Sequence, residues 1–220
     1  MREIECEQGS PEWHQARLGV PSASCFDKIV TPAKGEYSKS AKPYMLQLLL
    51  ERLTGETQES LDGLPAIERG KALEPKAVTG YELETGEKTR AAGFCLTNDC
   101  RFGASPDRIL TSTNGGLELK CPNSVTHLGY WAHGFGNDYK CQRMGQMWVC
   151  EFDFVDMVSF HPRLPSAIER VYRDEPFIKT MADALNKFHD EMMELETRLR
   201  ATGFFEAQTE DDWRDMLEGV

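Results

Sequence analysis

The stretch GASPDRILTSTNGGLELKCP, residues 103–122, decides how this chain is read. Leu117, Glu118, Leu119 and Lys120 alternate apolar and charged, the period of a strand with its leucines on one face and Glu118 and Lys120 on the other. Asn114-Gly115-Gly116 ahead of them has the residues of a tight turn, and 108–111 reads as the partner strand. Asp107, in Ser105-Pro106-Asp107, then comes back beside Glu118 across the hairpin. Such a charged pair is either an exposed sheet face or a site, and the spacing alone leaves both open.

Two carboxylates converging from adjacent strands make a hard-oxygen site suited to Mg²⁺, which takes one or two carboxylates and keeps several waters. Lys120 shares a face with Glu118 and lies roughly 7 Å further along the strand. That separation leaves room for a metal-bound water, which the lysine could orient as an ammonium or deprotonate as a neutral amine, or it could stabilise the charge of a pentavalent phosphorane-like state. A lysine buried beside a metal can have a lowered pKa, as a base near neutral pH requires.

The flanks supply helices. Ser10-Pro11-Glu12 is a helix start, with Ser as N-cap, Pro in the first turn and an acid behind it, and the helix is expected to carry Trp13, His14 and Arg17 as far as Gly19. Ser22 or Ser24 could cap a short second helix through Ile29. A third is expected over 40–53, with Leu46, Leu49, Leu50 and Leu53 on one face and Gly55 beyond its end. The pattern over 67–83 is helical but contains Pro75, which predicts a kink or restart at Glu74-Pro75. Strands are expected over 94–105, 152–160 and 168–173, and helices over 138–150 and 176–200, the last ending before Gly203. The order predicts one α/β domain over residues 1–220, a central mixed sheet flanked by helices.

The net charge of -11 argues at first against a nucleic-acid partner, because phosphates are bound by Lys and Arg. From Asp174 onward, however, 13 acids face 5 bases, and the rest of the chain holds 23 acids and 20 bases. The acidity belongs mostly to the C-terminal part, while Lys28, Lys34, Lys39 and Lys42 form a basic cluster. Seven cysteines, none in a Cys-x-x-Cys pair, predict scattered reduced thiols rather than a zinc site. Without a long apolar run or a signal-like start, a cytoplasmic protein with no membrane contact is expected.

Ser105-Pro106-Asp107 followed by Glu118-Leu119-Lys120-Cys121-Pro122 resembles the Asp…Glu-x-Lys core of the PD-(D/E)xK nucleases, which have a restriction-endonuclease-like fold. More narrowly it resembles the phage lambda exonuclease (YqaJ-type) viral recombinases. Trp13-His14-Gln15-Ala16-Arg17-Leu18-Gly19, Gly70-Lys71-Ala72-Leu73-Glu74, and Gln142 followed by Met147-Trp148-Val149 agree with that family in the same order. The resemblance implies a Mg²⁺-dependent exonuclease, with Mn²⁺ as a substitute. It would processively degrade the 5′-ended strand of linear duplex DNA from a 5′-phosphate and leave a 3′ tail for a single-strand annealing protein. It also implies a ring-shaped homotrimer in a phage or prophage setting in the bacterial host.

By the same resemblance Asp107, Glu118 and the Leu119 carbonyl are metal ligands, and Lys120 positions or activates the attacking water. Glu74 contributes to a second metal site, Gln142 supports the core, and Arg17, Ser24 and Ser105 grip the 5′-phosphate. Gly145-Gln146 departs from the family pattern, which has a larger or aromatic residue after the glutamine. Trp13 and His14 could pack at the core edge or stack near DNA, and packing is the reading preferred. The glutamate-rich helix face over 183–196 is expected to be solvated. Two other readings remain: another PD-(D/E)xK endonuclease, and a non-catalytic DNA-end-binding recombination scaffold.

Overall fold

The computed structural model describes residues 1–57 and 65–202, with the side chains of 66 and 67 left aside. Gly203 and the acids beyond it lie outside the described residues.

The strand predicted over Leu117–Lys120 is β6 (Gly115–Lys120), and it lies in the middle of a sheet rather than at a half-exposed edge. Its neighbours are β5 (Arg108–Leu110), antiparallel, and β7 (Phe154–His161), parallel. β2 (Thr89–Ala91) flanks β5, and β8 (Leu164–Tyr172) flanks β7, giving the order β2-β5-β6-β7-β8. A parallel neighbour requires a crossover. Here it contains α5 (Ser124–His133) and α6 (Lys140–Val149). A smaller sheet joins β1 (Arg2–Ile4), β3 (Phe94–Leu96) and β4 (Gly103–Ala104).

The alternation along β6 sorts the core into two layers. Leu117 and Leu119 pack with Leu110, Phe154 and Val158 against Ala77 and Tyr81 of α4 (Pro65–Thr85). Beneath this layer Asp156 is satisfied by Tyr81 Oη at 2.5 Å and by two Arg170 nitrogens at 2.8 Å. The opposite face holds Ile109, Val155 and Met157 and is covered by α6, α2 (Phe26–Ile29), α3 (Ala41–Thr54) and α7 (Glu175–Ala201). Glu118 and Lys120 point to that face, toward α6.

The helix start at Ser10 is as expected: its side chain accepts from Trp13 N, and α1 (Pro11–Arg17) begins on Pro11. Gly55 ends α3 in the left-handed region at φ 74. Other expectations are corrected. The segment 94–105 is two strands, β3 and β4, separated by a turn in which Thr97 Oγ1 donates to Asp99 and Cys100 has φ 60. Helix α4 runs through Pro75 without a restart. In α3 the buried face is Ala41, Tyr44, Met45, Leu48 and Leu49, whereas Leu46 and Leu50 are exposed. Along α7, Glu196 is buried between Arg52 and Arg200, so that face is only partly solvated. Among the described residues no helix is long and apolar enough to cross a membrane.

Candidate active site

The ladder between β5 and β6 ends at Arg108↔Leu117. Beyond it a side chain takes over from the backbone: Asp107 Oδ2 accepts from Leu119 N at 2.5 Å. This contact brings Asp107 to the C-terminal end of β6, next to Glu118 and Lys120. Glu118, only 3 % exposed, is held on both oxygens. Lys120 Nζ donates to its Oε1 at 2.6 Å, Gln142 Nε2 to the same oxygen at 2.7 Å, and Gln146 Nε2 to Oε2 at 2.5 Å. Lys120 Nζ also donates to Gln142 Oε1 at 3.2 Å.

The electrostatics follow from three acids around one cation. Burial, then the charge of Glu118 and to a lesser degree that of Glu74, pushes the Asp107 carboxyl well above its usual range, although Lys120 and the Leu119 N–H oppose it. Glu74, half-buried on α4, is also raised, first by burial and further by Glu118, against the pull of Arg108. Burial would lower Lys120, but Glu118 and Asp107 outweigh it and hold the ammonium above its ordinary value. In this arrangement the two carboxylates favour the charged form of Lys120, which donates to Glu118 and Gln142.

Excess negative charge on hard oxygens is what a divalent cation relieves. Among the described residues no three His, Cys, Asp or Glu side chains converge on one point. Asp107 and Glu118 offer carboxylate oxygens, a hard donor type that fits Mg²⁺. All seven cysteines are unpaired, and burial raises the Cys121 thiol beside the site, leaving no activated nucleophile there.

A second cluster sits just upstream. Arg17 Nη1 donates to Ser105 Oγ at 3.3 Å and Nη2 to Ser22 Oγ at 3.3 Å. Trp13 Nε1 donates to Ser105 Oγ at 3.0 Å, and the guanidinium lies 4.1 Å from the Trp13 ring centroid. Trp13 is therefore part of this cluster rather than plain core packing. Arg17 forms no ion pair among the described residues, and burial lowers its pKa against the more distant charge of Glu51, so a desolvated guanidinium stands beside hydroxyls that accept from it. Ser24 reaches Arg17 only through Ser22, at 3.2 Å between the hydroxyls.

Asp107, Glu118, Lys120 and Gln142 are thus brought together, Glu74 lies within electrostatic reach, and Arg17 and Ser105 form a pair. Sequence reasoning gave no site role to Ser22 or Gln146. For Gln146 a signal existed: Gln142 and Gln146 are four apart on one face of a helix whose other buried residues include Cys141, Met144, Met147 and Val149.

A central mixed sheet whose middle strand ends in an Asp–Glu–Lys cluster defines a nuclease-type α/β fold. The chain belongs to the YqaJ-like viral recombinase domain family, matched over residues 12–153. It is similar to the alkaline exonuclease LHK-Exo from Laribacter hongkongensis, at 32% identity over 90% of this chain and 100% of that one, with a TM-score of 0.79. The same protein in complex with dAMP matches at 31% identity over 90% and 100% of the two chains, TM-score 0.79. A phage-related exonuclease from Haemophilus somnus 129PT, at 17% identity over 80% of this chain and 95% of that one, TM-score 0.61, shares the fold. No curated protein sequence matches the chain.

Proposed function

We propose that this protein is a Mg²⁺-dependent exonuclease that removes nucleotides from the 5′-phosphorylated strand of linear duplex DNA, working 5′→3′ and processively. The observation that carries the reading is the placement of two polar clusters on one short segment: Ser105 belongs to the Arg17 cluster and Asp107 to the Glu118–Lys120 cluster. One group of residues fits a terminal phosphate and the other a phosphodiester. Family membership and a relative solved with dAMP, a nucleoside monophosphate of the kind exonucleolysis releases, support it.

In this mechanism Arg17 holds the terminal phosphate with its two-pronged fork, and Ser105 donates to a third oxygen. Asp107, Glu118 and the Leu119 carbonyl would hold Mg²⁺, with Glu74 at a second position. The metal would supply charge neutralisation of the phosphodiester and a more acidic water. Lys120 donates to the attacking water or to a non-bridging oxygen, and Gln142 and Gln146 keep Glu118 from rotating. The water attacks phosphorus in line with the departing 3′ oxygen: as the new P–O bond forms the water gives up a proton to bulk solvent, the P–O3′ bond breaks, and the 3′ oxygen leaves with a proton from solvent. A ring-shaped homotrimer would retain DNA by encirclement, so that a chain of net charge -11 needs basic residues only along the channel. A single-strand annealing protein is the partner such a product calls for, inside the bacterial cytoplasm.

The test is digestion of linear duplex DNA, with and without a 5′-phosphate, by wild type, Lys120→Ala and Asp107→Ala, in Mg²⁺, in Mn²⁺ and with EDTA. Mononucleotides released from the phosphorylated 5′ end, lost in both variants and with EDTA, are expected. Cutting of closed circular DNA would replace the reading with an endonuclease. Binding without cleavage would replace it with a scaffold.

A further inference from the structure

Of the three non-glycine residues with left-handed backbone among those described, Cys100, Tyr139 and Glu151, Tyr139 borders the site, at φ 56. A bulky aromatic in that region costs on the order of 1–3 kcal/mol and persists only where its surroundings enforce it. Here they do. Arg143, 5 % exposed, has no ion pair among the described residues and spends its guanidinium on the loop before Tyr139. It donates to Gly136 O at 2.5 Å and Asp138 O at 3.2 Å. Glu169 accepts from Phe135 N at 2.9 Å, the Tyr130 ring stacks on Phe135 at 4.5 Å, and Tyr130 Oη donates to Asp138 Oδ2 at 3.1 Å. What this bracing delivers is the Tyr139 ring, with its centroid 4.3 Å from Lys120 Nζ.

We propose that Tyr139 is a positioning residue for Lys120, its ring face forming the third wall, with Glu118 and Gln142, of a pocket that aims the ammonium. The inference rests on the nuclease reading for its consequence, not for its geometry. An ammonium over a ring face is attracted by the ring quadrupole without a charge–charge bond. The ring therefore restricts Lys120 on the side where an acid would add to the negative charge already there. A residue with no task would be easier to place as glycine or asparagine, which adopt φ 56 at little cost.

Two measurements test this. The first is the single-turnover rate and KM on 5′-phosphorylated linear duplex, with thermal melting, for wild type, Tyr139→Phe, Tyr139→Leu and Tyr139→Gly. Tyr139→Phe keeps the ring and should keep most of the rate. Tyr139→Leu and Tyr139→Gly should lose roughly tenfold in rate with KM little changed. Tyr139→Gly should melt no lower than wild type, because strain is relieved. A full rate for Tyr139→Gly, a loss confined to KM, or a loss in Tyr139→Phe equal to that in Tyr139→Leu would overturn the proposal. The second needs no activity: the Lys120 side-chain methylene resonances, assigned with Lys120→Arg, should show an upfield ring-current shift that Tyr139→Leu abolishes. Identical shifts in both proteins would overturn it too. Wild type failing to cleave would sink the nuclease reading alone, since the resonance shift would still decide the role of Tyr139.

Discussion

Gln146 Nε2 donates to Glu118 Oε2 at 2.5 Å, from the oxygen's other side to the one that Lys120 and Gln142 hold through Oε1. A carboxylate pinned on both oxygens cannot swing, and its rotamer is decided before any ligand arrives. Gln146→Leu leaves Oε2 buried without that donor, a loss of about 1–3 kcal/mol. Thermal melting should register the cost, and the rate on linear duplex should fall at least tenfold. Unchanged melting and rate would mean that the contact is incidental.

Selectivity for the phosphorylated end should reside in Arg17. Arg17→Lys keeps the charge but loses the fork shared between Ser105 and Ser22. The ratio of rates on 5′-phosphate and 5′-hydroxyl ends should drop by roughly tenfold. Trp13→Phe removes only the indole donor to Ser105, so a smaller drop is expected. Equal ratios in wild type and Arg17→Lys would assign the phosphate to another site.

Gly145 lets α6 approach α2. A Cβ there would stand 2.6 Å from Phe26 Cδ2, and Phe26 is fully buried. Alanine adds about 1 kcal/mol of helix propensity, while overpacking a closed core costs roughly 1–3 kcal/mol. Gly145→Ala is therefore expected to be neutral to destabilising, with a lower chemical-denaturation midpoint and a displaced Gln146. A more stable variant would show that Phe26 has room to move.

The α3–α7 contact has an acid-labile ion pair. Burial would raise the Glu196 pKa, but hydrogen bonds from Arg200 and Arg52 outweigh it and hold it below its ordinary value of 4.5. A folded pKa below the unfolded one means that the pairing stabilises fully above pH 4.5, and that this share is lost as pH falls through the lowered value. Wild type should exceed Glu196→Gln in melting temperature at pH 7, with the gap closing in acid. A gap independent of pH would assign the effect to packing.

Where a residue's partner is close in sequence or its pattern is periodic, the sequence was legible. β6 and the cap at Ser10 followed from alternation and capping chemistry. The hairpin that brings Asp107 beside Glu118 was legible too, although Gly115 and Gly116, which read as its turn, are the first residues of β6. What escaped depends on tertiary context. Helix α5 exposes Val125, Leu128 and Trp131, so its apolar residues trace no core-facing stripe, and only Asn123, capping Thr126 N at 3.0 Å, announced it. Of the four α3 leucines read as one face, Leu49 and Leu53 pack on the core and Leu46 and Leu50 do not, because burial there is decided by α7 and α2. Ser22 rather than Ser24 meets Arg17 because of how the 3-10 turn Ala23–Cys25 aims its side chains, a matter of rotation no composition reveals.

Ser105 and Asp107 are separated by one proline, and two residues of chain span at most roughly 7 Å. On the proposed reading, the residue that seats the end of the strand and the residue that serves the cut are marks on one short ruler. The increment removed per turnover is then a property of covalent geometry, not of a rate. Lengthening the ruler by a single residue would change the size of the fragments, where altering any ligand would change only how fast they appear.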